Sequence, residues 1–356
     1  MGTQALTEIV PVRVCGGRCP ADLGRCVGAF GMRLVALLGL GICGAPQALV
    51  AQNGPEKKEP GRRPPPRVQV VPEPRLGASF QIEGRTVLGF DAGAQGMRRP
   101  FLYPVLGPSG VGLTRMGHPR DPVSHSHHNS VWISHHDLGG HNFWADNAST
   151  IQTRHISRFE DGDSSAFLEA YMDWTAPSGT LVLRERRRIT LTALTPARWR
   201  IDVESELEAA GEAIQAGTSG FGFLGVRMAK TIGVHDGGGR VLNSEGAVNE
   251  AGCFRKPARW IDYSGPVTAE ADEGITLLDH PQNLHHPVEF HVRDDGWMGA
   301  STTLREAYTF QPGVPLRLKY GLLVHGADAP PGVLEEEWKT FAQREFAAFP
   351  KSSSPR

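Results

Sequence analysis

Apolar and charged residues alternate with a period of two along the longest patterned stretches of this chain, and that alternation limits the fold more than any motif does. Between 197 and 207, Trp199, Ile201, Val203 and Leu207 interleave with Arg198, Arg200, Asp202, Glu204 and Glu206. Between 316 and 325, Leu316, Leu318, Tyr320, Leu322 and Val324 face away from Arg317, Lys319 and His325. Successive side chains of a strand point to opposite faces, so each stretch predicts a strand with one dry and one solvated face. Segments 150–160, 165–175 and 180–193 repeat the pattern, separated by the turn signals Asp161-Gly162-Asp163 and Pro177-Ser178-Gly179. Only 333–346 has helical spacing, through Leu334, Trp338 and Phe341. The 43 glycines and 27 prolines suit many turns, and no repeat period suggests a propeller or solenoid. The reading is an all-β protein, one large antiparallel β-sandwich.

Residues 32–51 pair a single Arg with an apolar run from Leu34 to Cys43 and end in small residues, the three-part pattern of a secretory signal. The run is shorter than the ~20 residues of a membrane span, and Met32 is a candidate true start. The domain reading is a signal region 1–51, a Pro-rich linker 52–76, one β-sandwich domain 77–350 and a tail 351–356. It predicts a secreted or periplasmic protein with no membrane span in the mature chain. Four of the five cysteines fall within 1–51, so Cys253 would have no intramolecular partner. Removing that region leaves 33 basic and 36 acidic residues, a balance that argues against nucleic acid as a partner. No Gly-rich phosphate loop, G-x-S-x-G or surviving C-x-x-C is present.

Chemistry concentrates in one segment. Eight of the 14 histidines lie between His118 and His155. On an extended segment His125 and His127 would point the same way, and His135 and Asp137 repeat that spacing. Imidazole titrates near neutrality and is the commonest metal-binding side chain. His125, His127 and His135 or Asp137 would thus suit a divalent transition metal.

Several blocks resemble the PmoA-like family, mostly secreted bacterial proteins labelled "methane oxygenase". They are Arg99-Pro100-Phe101-Leu102-Tyr103-Pro104, Thr114-Arg115, Ser124 to His128 with Trp132, and His135-His136-Asp137 through Phe143-Trp144. Ala258 to Gly265, Asp279 to Asn283, His291 to Asp294, Arg305 to Thr309 and Leu318 to Gly326 continue the pattern, so the resemblance covers roughly 80–327. Ser124 and Asn142 stand where that family carries Asp. The label does not transfer: a methane-oxidising membrane subunit needs several transmembrane helices. What the resemblance implies is a sandwich similar to galactose mutarotase-like supersandwiches, an analogy of fold.

Three functions compete. An exported carbohydrate-active enzyme (epimerase, lyase or glycoside-processing hydrolase) would use His128 and His135 as acids and Glu306 as base. Arg115, His291, Arg293 and His325 would orient the substrate, and Trp132 and Trp144 would stack on it. A metal-dependent enzyme or oxygenase would use His125, His127 and Asp137. A non-catalytic glycan-binding protein would use Trp132, Trp144 and Trp260 as platforms. The expected partner is a carbohydrate or another small molecule.

Overall fold

The structure is a computed structural model and describes residues 64–93, 96–117, 125–147, 149–327, 329–345 and 349. The expected signal region and tail, with His118 and Ser124, lie outside the described residues.

Two antiparallel sheets dominate. The first has nine strands in the order Val68–Glu73, Gly77–Ile82, Arg85–Asp91, Phe101–Val105, Val131–His135, Gly222–Arg227, Trp297–Ala300, Glu289–Arg293 and Lys256–Pro257. The second has eight, in the order Arg240–Asn243, Trp260–Pro266, Asp272–Asp279, Leu316–Gly326, Arg198–Ala209, Leu181–Thr195, Ser165–Thr175 and Thr150–Glu160. A short ribbon pairs Ile214–Ala216 with Tyr308–Phe310. One apolar cluster draws on both large sheets, joining Val131, Leu224, Val226, Val292 and Met298 of the first to Leu168, Ile201, Leu318 and Leu322 of the second. The all-β sandwich follows directly from the alternation. No helix among the described residues is long and apolar enough to cross a membrane.

Three expectations need correction. The Pro-rich stretch is not wholly a tether: Val68–Glu73 is a strand at the edge of the nine-stranded sheet, with Val68 and Val70 buried. An edge strand tolerates Pro72, which has no N–H to donate. The helix spans Pro331–Ala342, starting earlier because proline suits the first helical turn.

The face expected to be wet is covered instead. Arg200, Asp202, Glu204 and Glu206 are all buried. Arg200 pairs with Asp202, Lys319 with Glu204, and Arg186 and Arg317 with Glu206. The C-terminal segment lies over this ladder. Phe341 sits 5.6 Å from the Arg200 guanidinium, and the Arg344 and Glu345 carbonyls accept from Lys319. Beside it, Leu334 and Phe341 of the helix bury Trp260, Leu278 and Leu323. Buried charges persist only when paired and hydrogen-bonded, and the ladder meets that condition within its own strand at Arg200–Asp202 and across neighbouring strands at Glu204 and Glu206.

Candidate functional site

The nine-stranded sheet has a second face, turned away from the core, and its middle strands build a cleft there. Strand register places Phe101, Trp132, Gly225, Gly299 and His291 in one cross-strand row. Arg227, Trp297 and Arg293 form the next row. The two glycines make the floor possible. A Cβ on Gly225 would lie 2.5 Å from Trp297 Cη2 and 3.0 Å from Trp144 Cη2, and one on Gly299 would lie 2.7 Å from Trp297 Cζ2. Glycine inside a strand often marks such a close approach. Here it opens a slot for two benzo rings, and Trp132, Trp144 and Trp297 pack with centroids 5.1–5.5 Å apart.

The resulting hollow has a volume of about 430 Å³. Trp144 and Trp297 line it together with Phe221, Arg293 and Asp295 and five imidazoles, those of His125, His127, His128, His136 and His291. Asp295 comes from the three-residue turn between Arg293 and Trp297, which closes on Gly296 at φ +94°. Asn142 presents Trp144: its Oδ1 accepts from the backbone N–H groups of Trp144 (2.8 Å) and Ala145 (3.0 Å).

One buried cation ties the site's loops together. Arg99, fully buried, donates to the carbonyls of His127 (2.9 Å), Trp144 (2.8 Å) and Ala145 (3.0 Å) and to Asn129 Oδ1 (2.6 Å). The histidine loop and the Trp144 loop are thereby held by one guanidinium. Burial pushes its pKa down to about 10, still far above any working pH.

His125 and His127 do not lie on an extended segment. They occupy a turn in which the His128 N–H donates to the His125 carbonyl at 3.1 Å. The His125 ring therefore stacks on His128, three residues on, at 5.0 Å, while His127 meets His128 edge-on at 4.6 Å. Burial is the main cause that pushes His127 down to about 4. It also drives His128 far below the usual imidazole range, with His127, Arg227, His125 and Arg115 pushing in the same direction. Both rings are neutral at neutral pH, which removes His128 as an imidazolium acid. Its Nδ1 is buried without a hydrogen-bond partner among the described residues, as are the Nε1 atoms of Trp132, Trp144 and Trp297.

His125 has the most developed relay. Arg227, 1% exposed, approaches His125 Nδ1 with Nη2 at 3.3 Å and Asp295 Oδ1 with Nη1 at 2.9 Å. A guanidinium only donates, so Nδ1 accepts and the neutral ring carries its proton on Nε2. Asp295 Oδ2 stands 3.5 Å from the same Nδ1, placed to compensate a second proton. His291 donates from Nδ1 to the Gly220 carbonyl at 3.2 Å, and its pKa is lowered, chiefly by burial. Its Nε2 is left as an acceptor.

Other sequence-predicted residues lie elsewhere. His135 is fully buried outside the cleft. The Asp137 N–H donates to its Nδ1 at 3.0 Å, so Nε2 carries the proton and donates to Thr303 Oγ1 at 2.8 Å. Asp137 itself accepts from the Gly140 N–H at 2.9 Å and shapes a turn. The expected metal set of His125, His127 and His135 or Asp137 is thus not brought together. No group of three His, Cys, Asp or Glu suited to one metal ion occurs among the described residues. Glu306 is not a desolvated base: its side chain is 78% exposed, on an irregular segment, 3.5 Å from His285 Nε2. His325 belongs to the other sheet, where Nε2 meets Asp262 Oδ1 at 2.8 Å. Arg115 donates to the Met228 carbonyl at 3.2 Å behind the cleft, and Arg293 pairs with Glu250 at 2.9 Å. Trp132 is the buried backing of the floor rather than a platform. Trp260 lies under the C-terminal helix, donating to Glu335 at 2.8 Å.

The sequence reading missed His136, Phe221, Arg227, Asp295 and Trp297. Mid-strand glycines in Gly222-Phe223-Leu224-Gly225-Val226-Arg227 and Trp297-Met298-Gly299-Ala300 were the available signal.

No curated protein matches the chain. Among solved structures, a 4-alpha-glucanotransferase from Thermococcus litoralis aligns at 10% identity with a TM-score of 0.30, over 73% of this chain and 39% of its own. The chain thus spans about two fifths of that structure's length, and a likeness at this level carries no argument. Residues 77–339 match a family model described as "Family of unknown function (DUF6807)". Since that match spans most of the sequence, the chain belongs to this family of unknown function.

Proposed function

We propose that the cleft binds a sugar-sized polyhydroxylated molecule and moves a proton on it, in an exported carbohydrate-active enzyme. The observation that carries this reading is the His125–Arg227–Asp295 relay at the edge of an indole floor. The Phe221 ring, 37% exposed in the lining, suits the C–H face of a pyranose ring, while the imidazoles suit its hydroxyls. His125 is the acid–base residue: with both ring nitrogens protonated, its Nδ1–H turns to Asp295 Oδ2 and its Nε2 proton passes to a substrate oxygen, after which Nε2 can take a proton back from the substrate. Asp295 stabilises the imidazolium and the Nδ1–H tautomer left after the proton is given, and Arg227 holds Asp295 in place, the orienting logic of a hydrolase triad without the nucleophile. His127, His128 and His291, held neutral, accept hydroxyl protons.

The test is a screen of the full-chain protein against monosaccharides and disaccharides, reading intrinsic tryptophan fluorescence for binding and chromatography for turnover. A general acid–base residue contributes about 10²–10⁴-fold, so His125→Gln should lose at least about a hundredfold in turnover and keep binding. Tight binding with no turnover would reduce the protein to a glycan binder, and turnover unaffected in His125→Gln would remove this residue from the mechanism.

A further inference from the structure

A second hollow opens on the sheet face that carries the cleft. The cross-strand row that holds Phe101 and Trp132 runs on to Asp91, and a neighbouring row pairs Val71 with Ser79 and Ser79 with Gly89. Ala78, Phe80, Leu88 and Phe90 point into the core, so Ser79, Gly89 and Asp91 share the outward face with Trp132. Together with Glu73, Arg75, Thr86 and Tyr103 they line a hollow of about 300 Å³, at the small end of ligand pockets.

Gly89 sets one wall. A Cβ there would lie 2.3 Å from the Tyr103 carbonyl oxygen and 3.1 Å from Pro104 Cδ, so a larger residue would push the strand Phe101–Val105 away and carry Tyr103 with it. Tyr103 stands 44% exposed, an aromatic ring that presents itself to solvent. Ser79 is the opposite case. It is 8% exposed, its hydroxyl has no hydrogen-bond partner among the described residues, and its Oγ keeps access to the hollow. A hydroxyl so enclosed is met only by what enters.

The lining selects a class of ligand. Glu73 and Asp91 accept, Arg75 donates, and the Ser79 and Thr86 hydroxyls do both. Glu73 and Arg75 are exposed, and neither is in an ion pair among the described residues. An anion would face two carboxylates, and an apolar ligand would strand Ser79. Sugar hydroxyls, each a donor and an acceptor, match the mixture, and a C–H face suits the Tyr103 ring.

Position adds the last element. From Arg85–Asp91 to Gly222–Arg227 the sheet order takes three steps, about 14 Å at the usual strand spacing. Resting on the sugar-binding reading of the cleft, we infer that the Tyr103 hollow is a second sugar subsite and that the natural substrate is a glycan chain long enough to occupy both. The chain is held at Tyr103 and Ser79 while its reacting unit lies beside His125.

The test is calorimetry on the full-chain protein with malto-, cello-, xylo- and chito-oligosaccharides from disaccharide to hexasaccharide. Once one unit is bound, the second contact is intramolecular, so in at least one series affinity should rise about tenfold or more with length. Tyr103→Ala and Ser79→Ala should each remove that rise while leaving the urea midpoint, disaccharide affinity and disaccharide turnover unchanged. Phe221→Ala, in the cleft, should weaken short and long chains alike. Affinity that does not grow with length, or growth that survives Tyr103→Ala and Ser79→Ala, would overturn the second subsite and leave the cleft reading standing on its disaccharides. Hexasaccharide binding lost in Tyr103→Ala but untouched in Phe221→Ala would overturn the bridge and the cleft reading with it. Failure of all four series to bind would count against both.

Discussion

If the glycine slot holds the floor, then Gly225→Ala should damage it in a way that can be measured without knowing the substrate. The backbone at Gly225 is outside the left-handed region, so alanine is conformationally allowed. The added Cβ would lie 2.5 Å and 2.9 Å from Trp297 Cη2 and Cζ3 and 3.0 Å from Trp144 Cη2. Real Cβ atoms do not approach so closely, and both indoles are packed in a cluster that cannot simply swing away. Inserting a methyl into a packed site costs about 1–3 kcal/mol. Restricting the unfolded chain returns about 0.4–1 kcal/mol. The net loss is therefore about 1–2 kcal/mol, a fall in Tm of a few degrees for a domain of this size. Urea unfolding followed by far-UV circular dichroism gives the number, and near-UV circular dichroism reports the indoles directly. The decisive comparison repeats the substitution in a Trp297→Phe background, where the ring stops short of the Cη2 position. There the penalty should drop by about 1 kcal/mol, a coupling that a double-mutant cycle resolves. A cost below about 0.5 kcal/mol, or the same cost in both backgrounds, would refute the slot.

Arg99→Lys should be far from conservative, because an ammonium cannot span the His127, Trp144 and Ala145 carbonyls together with Asn129. A loss of about 3 kcal/mol in urea unfolding is expected, with loss of the near-UV tryptophan signal. Stability should also fall with acid. The His135 pKa is near 4 in the fold against 6.5 unfolded, so above pH 6.5 both states are neutral. Between pH 6.5 and 4 only the unfolded chain takes the proton. Stability then rises with pH across that window by up to about 3 kcal/mol. His128 adds to the same slope, and His135→Gln, less stable overall, should lose its own share of it in unfolding curves at pH 7.5, 5.5 and about 4.5. Glu306→Gln should leave turnover within about twofold, since an exposed carboxylate is neither desolvated nor in the cleft; a loss of about a hundredfold would reinstate it as the base.

What the sequence could and could not disclose follows from how strands carry information. Alternation is written along a strand, so Leu316 to Val324 and Trp199 to Leu207 announced both their conformation and their inward faces. Whether the opposite face is wet depends on what else lies over it. Arg200 to Glu206 are buried because Phe341 and the C-terminal residues cross them, a fact about a segment more than 130 residues away. The His125–His128 loop was visible because its residues are neighbours in the chain. The rest of the site is a cross-strand object. Trp132, Gly225, Gly299 and His291 become neighbours only through register, and register is set by pairing partners that one strand's pattern does not name. Glu306 failed for the converse reason. Its spacing from Tyr308 imitates a strand, but Tyr308–Phe310 is only three residues long and the chain before it is irregular. The one local clue to the floor was a single glycine on the outward face of each strand, Gly225 two residues before Arg227 and Gly299 two residues after Trp297. In a sandwich strand a missing side chain on one face means that something from elsewhere occupies that space, and here the occupants are the two indoles packed beneath the histidines of the cleft.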